Sequence, residues 1–258
     1  MTEAVPARIT NPKVATLAPT WRRFRGISVL FDNPGTRLAG GVTPLEAMQV
    51  DAPDRQRLYD ELAGVVAQVD AGAMRDRYGF CPLPRFSYHV TICDGPNERT
   101  LSGDGAARHA AATLIARLPA SLHLAPATLP YVCGAAVLQV VRADPITFAV
   151  SSVAIWRHVL AVRLEPATAP SGSALARVAR ARAQLVDDLR AELGLAVPAW
   201  RPHVSLGYFP NGAAARAAGA TLPRWNGALA AGDTSTITFA SASVYGFTDM
   251  VSFVRLGL

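Results

Sequence analysis

The sequence has almost no lysine. Among 25 basic residues Lys13 is the single lysine, and the rest are arginine; with 19 acidic side chains the formal charge is +6. Arginine's planar fork suits phosphate, so a phosphate-bearing substrate is compatible. A gene rich in G and C gives the same bias and also explains the many alanines. The charge forms no long basic run, so it permits nucleic acid without arguing for it. Cysteine is scarce too. Cys81, Cys93 and Cys133 are odd in number and lack metal-ligand spacing, which favours free thiols, a cytoplasmic location and no bound metal. No apolar run approaches the ~18 residues of a membrane span. The first residues lack the basic start and apolar core of a secretory signal. There is no Gly-rich phosphate loop before a helix, no His-Glu-x-x-His and no Gly-x-Ser-x-Gly, so nothing announces a nucleotide-loop, zinc-protease or serine-hydrolase mechanism. No cofactor is expected.

What is present is half apolar in a chain of 258 residues. That composition folds, and that length buries a sizeable core. Residues 86–93, Phe-Ser-Tyr-His-Val-Thr-Ile-Cys, read as a strand with alternating aromatic and β-branched side chains. Side chains at i and i+2 share a face. His89 and Thr91 therefore point one way, with Tyr88, Val90 and Ile92 opposite. The pattern returns in Pro202-His203-Val204-Ser205-Leu206, where His203 and Ser205 share a face. One such tetrapeptide reads as an ordinary half-buried histidine on a strand. Two, with matching hydroxyls and apolar neighbours, read as a site.

This doubled His-apolar-Thr/Ser-apolar motif resembles the 2H phosphoesterase superfamily. That superfamily includes RNA cyclic phosphodiesterases and the bacterial proteins named for 2'-5' RNA ligase activity. The resemblance implies an α+β, bilobal 2H phosphoesterase-like fold: two pseudo-symmetric lobes of antiparallel sheet flanked by helices, with a central cleft. It also implies that His89, Thr91, His203 and Ser205 carry the chemistry. The spacing of 114 residues between the histidines exceeds that of compact members. Long segments at 35–52 and 73–85 and an N-terminal arm are further departures, and these bear on substrate choice.

Along the chain, residues 1–21 read as an extended arm packed on the body through Trp21. Residues 22–258 read as one bilobal domain, with a lobe boundary near 125–170. Strands are expected at 26–31, 86–93, 122–125, 135–142, 146–151, 159–164, 236–244 and 251–256. Helices are expected at 53–70, 104–118, 173–193 and 211–219. Asp94-Gly95-Pro96-Asn97 reads as a turn, and Asp144-Pro145 as the turn of a hairpin. Residues 35–52 read as a glycine-rich loop over the cleft. Arg201 and Arg99 flank the motifs within reach of phosphate, and Tyr208 is a candidate to stack on a base. His109, His123 and His158 lack hydroxyl partners and read as structural.

Histidine's ordinary pKa of ~6.5 lets it act as base or acid near neutrality. Two histidines on opposite sides of a phosphorus atom supply both roles without a metal. Hydroxyls two residues along each strand can donate to charge developing on the non-bridging oxygens. The expected activity is hydrolysis of a 2',3'-cyclic phosphate or a 2'-5' linkage. The expected partner is an RNA terminus, a short oligonucleotide or a small cyclic nucleotide, with no membrane and a monomeric chain. The alternatives are RNA end joining through a 2'-5' bond, and a binding module that holds a phosphate ligand without turnover.

Overall fold

The structure, a computed structural model, describes residues 8–17, 20–36, 41–44, 53–101, 103–232 and 235–257. Its strands among these residues are β1 (Val14–Thr16), β2 (Thr20–Trp21), β3 (Gly26–Phe31), β4 (Gly41–Pro44), β5 (Cys81–Pro82), β6 (Thr91–Asn97), β7 (Ile146–Trp156), β8 (Val159–Pro166), β9 (His203–Tyr208), β10 (Ile237–Phe239), β11 (Ala242–Phe247) and β12 (Phe253–Gly257). The helices are α1 (Arg57–Gln68), α2 (Ala71–Tyr78), α3 (Ala106–Ala116), α4 (Ala125–Thr128), α5 (Pro130–Cys133), α6 (Ala136–Ala143), α7 (Ala169–Leu193), α8 (Gly212–Ala218) and α9 (Leu222–Ala231). None of them alone is long and apolar enough to cross a membrane.

The fold is α+β, as the motifs implied. Two five-stranded sheets, both antiparallel throughout, form two lobes. The first has the order β4-β12-β11-β3-β6 and the second β10-β7-β8-β9-β5. Each contains the same unit: a strand, a helical crossover, and a motif strand returning antiparallel beside it. In the first lobe the unit is β3, α1 and α2, β6; in the second it is β8, α7, β9. The sheets interleave along the chain. β5 precedes the first motif but pairs with β9, and β11 and β12 come back at the end of the chain to fill the centre of the first sheet.

β3 is buried at every position, Ser28 included, with β11 and β6 paired on either side of it. Phe31 stacks on Phe239 at 4.8 Å between ring centroids and meets Phe148 edge-on, joining the two sheets in one core. At the far end of β3, Asp32 accepts hydrogen bonds from Ser243 Oγ (2.9 Å), Tyr245 Oη (2.8 Å) and Arg255 Nε (3.2 Å). These partners satisfy a carboxylate that is almost fully buried.

Several expected elements are different. Residues 135–142 form helix α6 rather than a strand. Val137, Leu138 and Val141 share its buried face, the spacing of a helix that a short apolar run conceals. Residues 122–124 form a 3-10 turn rather than a strand. Asp144-Pro145 therefore joins α6 to β7, and the hairpin turns at Arg157-His158 between β7 and β8. The expected helix at 53–70 is a 3-10 turn followed by α1, and α2 occupies part of the segment expected to loop at 73–85. α7 begins at Ala169, four residues early, because Thr168 caps it through Ser171 N–H and Pro170 fits its first turn. α9 was not expected. The stretch 236–244 splits between β10 and β11, in different sheets. Most of the expected 35–52 loop lies outside the described residues; within it, β4 pairs with β12.

Candidate active site

The first motif strand starts later than its sequence suggests. Residues 85–87 form a 3-10 turn, Val90 makes an isolated bridge, and β6 runs from Thr91 to Asn97. The expected turn at 94–97 is part of this strand. β6 lies at the edge of its sheet, where a proline is tolerated. A bulge opposite Ile27 absorbs the extra residue. Gly95 is needed there: a Cβ would sit 2.6 Å from the Ile27 carbonyl oxygen.

The bridge decides the geometry. Val90 pairs antiparallel with Val204, and both are fully buried. Continuing that register sets His89 opposite Ser205 and Thr91 opposite His203. Because neighbours alternate along a strand, all four lie on the face away from the two valines. The motifs are thus joined head to tail across the lobes. In a regular antiparallel pair the diagonal neighbours, here the two histidines, lie roughly 7–8 Å apart. The charge of a protonated His203 adds to the lowering of the His89 pKa, which burial dominates.

Each imidazole is held in the same way. His89 Nδ1–H donates to the Ser87 carbonyl at 2.7 Å, and His203 Nδ1–H donates to the Arg201 carbonyl at 2.7 Å. A carbonyl only accepts, so Nδ1 carries the hydrogen and Nε2 is left as the basic nitrogen. Phe253 packs on His89 at 4.6 Å, and Trp156 meets His203 edge-on at 5.1 Å. Burial lowers the pKa of His89 to about 4, and the nearby His203 and Lys13 add to the drop. Burial also lowers His203. Both are therefore neutral near pH 7 in the free protein. The Thr91 and Ser205 side chains have no hydrogen-bond partner among the described residues, so both hydroxyls are available.

Support comes from both lobes. Trp200 Nε1–H donates to the Thr91 carbonyl (2.8 Å), and Arg182 Nε–H to the Ile92 carbonyl (2.7 Å). These donors occupy the carbonyls that an edge strand would leave open. Behind the site, Tyr59 Oη–H donates to Asn33 Oδ1 (3.0 Å), and Asn33 Nδ2–H to the Tyr88 carbonyl (3.1 Å), fixing the peptide before His89.

A cavity of about 270 Å³ opens beside His89 and Thr91. Phe24, Phe247 and Phe253 form apolar wall; Asp94, Asn97 and Lys13 add polar groups. No local residue pattern points to Lys13 at this site. In the described part of the N-terminal arm β1 pairs antiparallel with β2, and Lys13 Nζ lies 3.3 Å from Tyr208 Oη and 4.9 Å from that ring's centroid. Tyr208 lines the cavity, with Trp21 edge-on at 5.9 Å on it. Arg99 and Arg201 are exposed and do not line the cavity. Arg99 lies over Phe24 (5.7 Å) and Arg201 over Trp156 (5.9 Å), so each abuts an aromatic neighbour of the site. Phe86 is exposed, and Tyr88 and Phe209 are core residues. Among the described residues no cluster of three His, Cys, Asp or Glu could hold a metal.

No family model matches the chain, and no curated protein matches it. Among solved structures, one of a conserved protein of unknown function, ATU0111 from Agrobacterium tumefaciens, is similar over 93% of this chain and 88% of its own, with a TM-score of 0.50 and 11% identity. Usb1 from Kluyveromyces marxianus aligns over 92% of this chain and 99% of its own, at a TM-score of 0.40 and 13% identity. Its structure with uridine monophosphate gives 0.39 and 16%. At such identities the first likeness speaks to the fold alone; the two below 0.5 carry nothing further.

Proposed function

We propose that this protein is a 2H-type phosphoesterase acting on a 2',3'-cyclic phosphate or a 2'-5' linkage at an RNA end or in a small nucleotide. The observation that carries this reading is the Val90–Val204 bridge, which faces one His-x-Thr/Ser motif against the other. A water molecule loses its proton to one Nε2 as its oxygen bonds to phosphorus. The opposite ribose oxygen leaves and takes a proton from the other Nε2. The Thr91 and Ser205 hydroxyls donate to the non-bridging oxygens, where charge develops. The acid's proton arrives with the substrate: a phosphodiester anion between the rings favours the imidazolium form. This scheme asks nothing of a metal. The test is incubation with 2',3'-cyclic CMP and with a 2'-5'-linked dinucleotide in excess EDTA. Turnover of either is expected. Inactivity on both, or activity only with added divalent metal, overturns the reading.

A further inference from the structure

We infer that Lys13 is a substrate-binding residue, carried into the cleft by the N-terminal arm to grip a phosphate oxygen of the bound nucleotide. The inference rests on the phosphoesterase reading and adds a residue that lies outside both motifs.

Three observations carry it. First, position: Lys13 lines the cavity with His89 and Thr91, and is the single basic side chain among the described lining residues apart from His89 itself. Its charge is felt by both catalytic histidines, which it pushes in the same direction. Second, availability: no carboxylate lies within ion-pair distance of Lys13 among the described residues, and its ammonium donates to Tyr208 Oη, leaving donors unused. Asp94, the one carboxylate in the same lining, is solvent-exposed; its charge reaches Lys13 but it makes no ion pair with it. A half-buried ammonium with no carboxylate in contact is completed by an anion.

Third, the placement is built. Asn11 is 2% exposed and latches the arm: its Nδ2–H donates to the Phe209 carbonyl (2.8 Å), its backbone N–H to the Pro210 carbonyl (2.7 Å), and its Oδ1 accepts from Lys13 N–H (3.0 Å). Val14, the next residue, is fully buried. Pro210 and Phe209 directly follow β9, so the arm is anchored beside the second motif strand; its lysine touches Tyr208 of that strand and lines the cavity shared with His89 and Thr91 of the first. The chain uses arginine at every other basic position. An ammonium is a compact point charge that fits beside a ring where a guanidinium fork is wide.

The experiment compares wild type, Lys13→Met and Lys13→Arg. Met keeps the apolar stem against Tyr208, and equal melting temperatures show that the fold is kept. Calorimetry measures binding of cytidine 2'-monophosphate, inorganic phosphate and uncharged cytidine. Loss of one charge-assisted hydrogen bond predicts roughly 10–100-fold weaker nucleotide binding in Lys13→Met, with cytidine unchanged and partial recovery in Lys13→Arg. NMR titration should show both histidine pKa values rising in Lys13→Met. If the variant binds the nucleotide as tightly as wild type while wild type turns over the cyclic phosphate, the lysine assignment falls and the enzyme reading stands. If wild type binds neither nucleotide nor phosphate, both fall. Equal losses for cytidine and nucleotide also overturn the assignment, since the lysine then shapes the cleft without meeting the phosphate.

Discussion

The two motif strands carry one pattern in unequal surroundings. His89 sits against Phe253, beside an apolar-walled cavity and the arm's lysine. His203 sits edge-on to Trp156, whose ring also meets an exposed arginine, and the cavity lining does not include it. The backbone treats them alike: each ring donates from Nδ1 to the carbonyl two residues back, at the same 2.7 Å. Local strand geometry has thus been duplicated, while the side chains around it have not. On the proposed reading, the first lobe holds the body of the nucleotide and the second meets the more open side of the phosphate.

The harshest way to break the comparison is to remove one ring at a time. His89→Ala and His203→Ala should each lower kcat/KM by roughly 10²–10⁴-fold, the range for one positioned acid or base. Removing both should cost far less than the product, because the two act as a unit. Thr91→Val and Ser205→Ala should each fall less steeply, with melting temperatures held. Full activity in either histidine variant ends the equivalence and the assignment together.

A second measurement sharpens it through pH. Each histidine has a folded-state pKa below the ordinary 6.5, His89 near 4. The pair should therefore give a bell-shaped kcat/KM with its maximum on the acid side of 6.5, since that profile reports the free enzyme. A maximum at neutral or alkaline pH contradicts the buried environment described above. Stability follows the same sign. On acidification the unfolded chain binds protons before the folded one does. Their contribution is complete above pH 6.5 and declines as pH falls toward about 4. The melting temperature of His89→Ala should decline less over that window.

The smallest expected effect concerns the outer arginines. Arg201→Ala and Arg99→Ala each remove a cation resting on an aromatic ring, worth about 0.5–1 kcal/mol at exposed sites. Each should change KM by only a few-fold and leave kcat alone. A larger drop in kcat for Arg201→Ala than for Arg99→Ala would mark the His203 side as the more dependent on its rim.

Much of this was legible from residue order. The alternation around His89 and His203 identified the four facing side chains, because a period of two survives whatever the strand pairs with. The repeated strand–helix–motif unit was visible in the order of apolar segments. The exact start of the first motif strand was not, since Ser87 and Tyr88 belong to a turn held by Asn33, a residue far away in sequence. The strand at 94–97 was hidden for a related reason: Gly95 and Pro96 carry turn chemistry, and only the partner β3 turns them into a bulged edge. α6 was misread because a short apolar run fits either period. In the sequence Lys13 stands out only as the single lysine. Its role depends on Asn11 reaching Phe209, a contact between chain regions 198 residues apart that no local pattern encodes.

The return of the chain to its first sheet has a consequence for how the protein is made. Asp32 and Arg255 are 223 residues apart, and β11 is the strand laid between β3 and β12. The centre of the second sheet is a hairpin, β7–β8, with β9 beside it; only its edges, β5 and β10, close over long separations. The first lobe keeps the flank of β3 open during synthesis until β11 leaves the ribosome. Contacts of such separation fold slowly, and an uncovered apolar strand is a site of mispairing. His89 is translated long before His203, yet its sheet is the last to close. The proposed site is therefore completed only once β11 and β12 have been made.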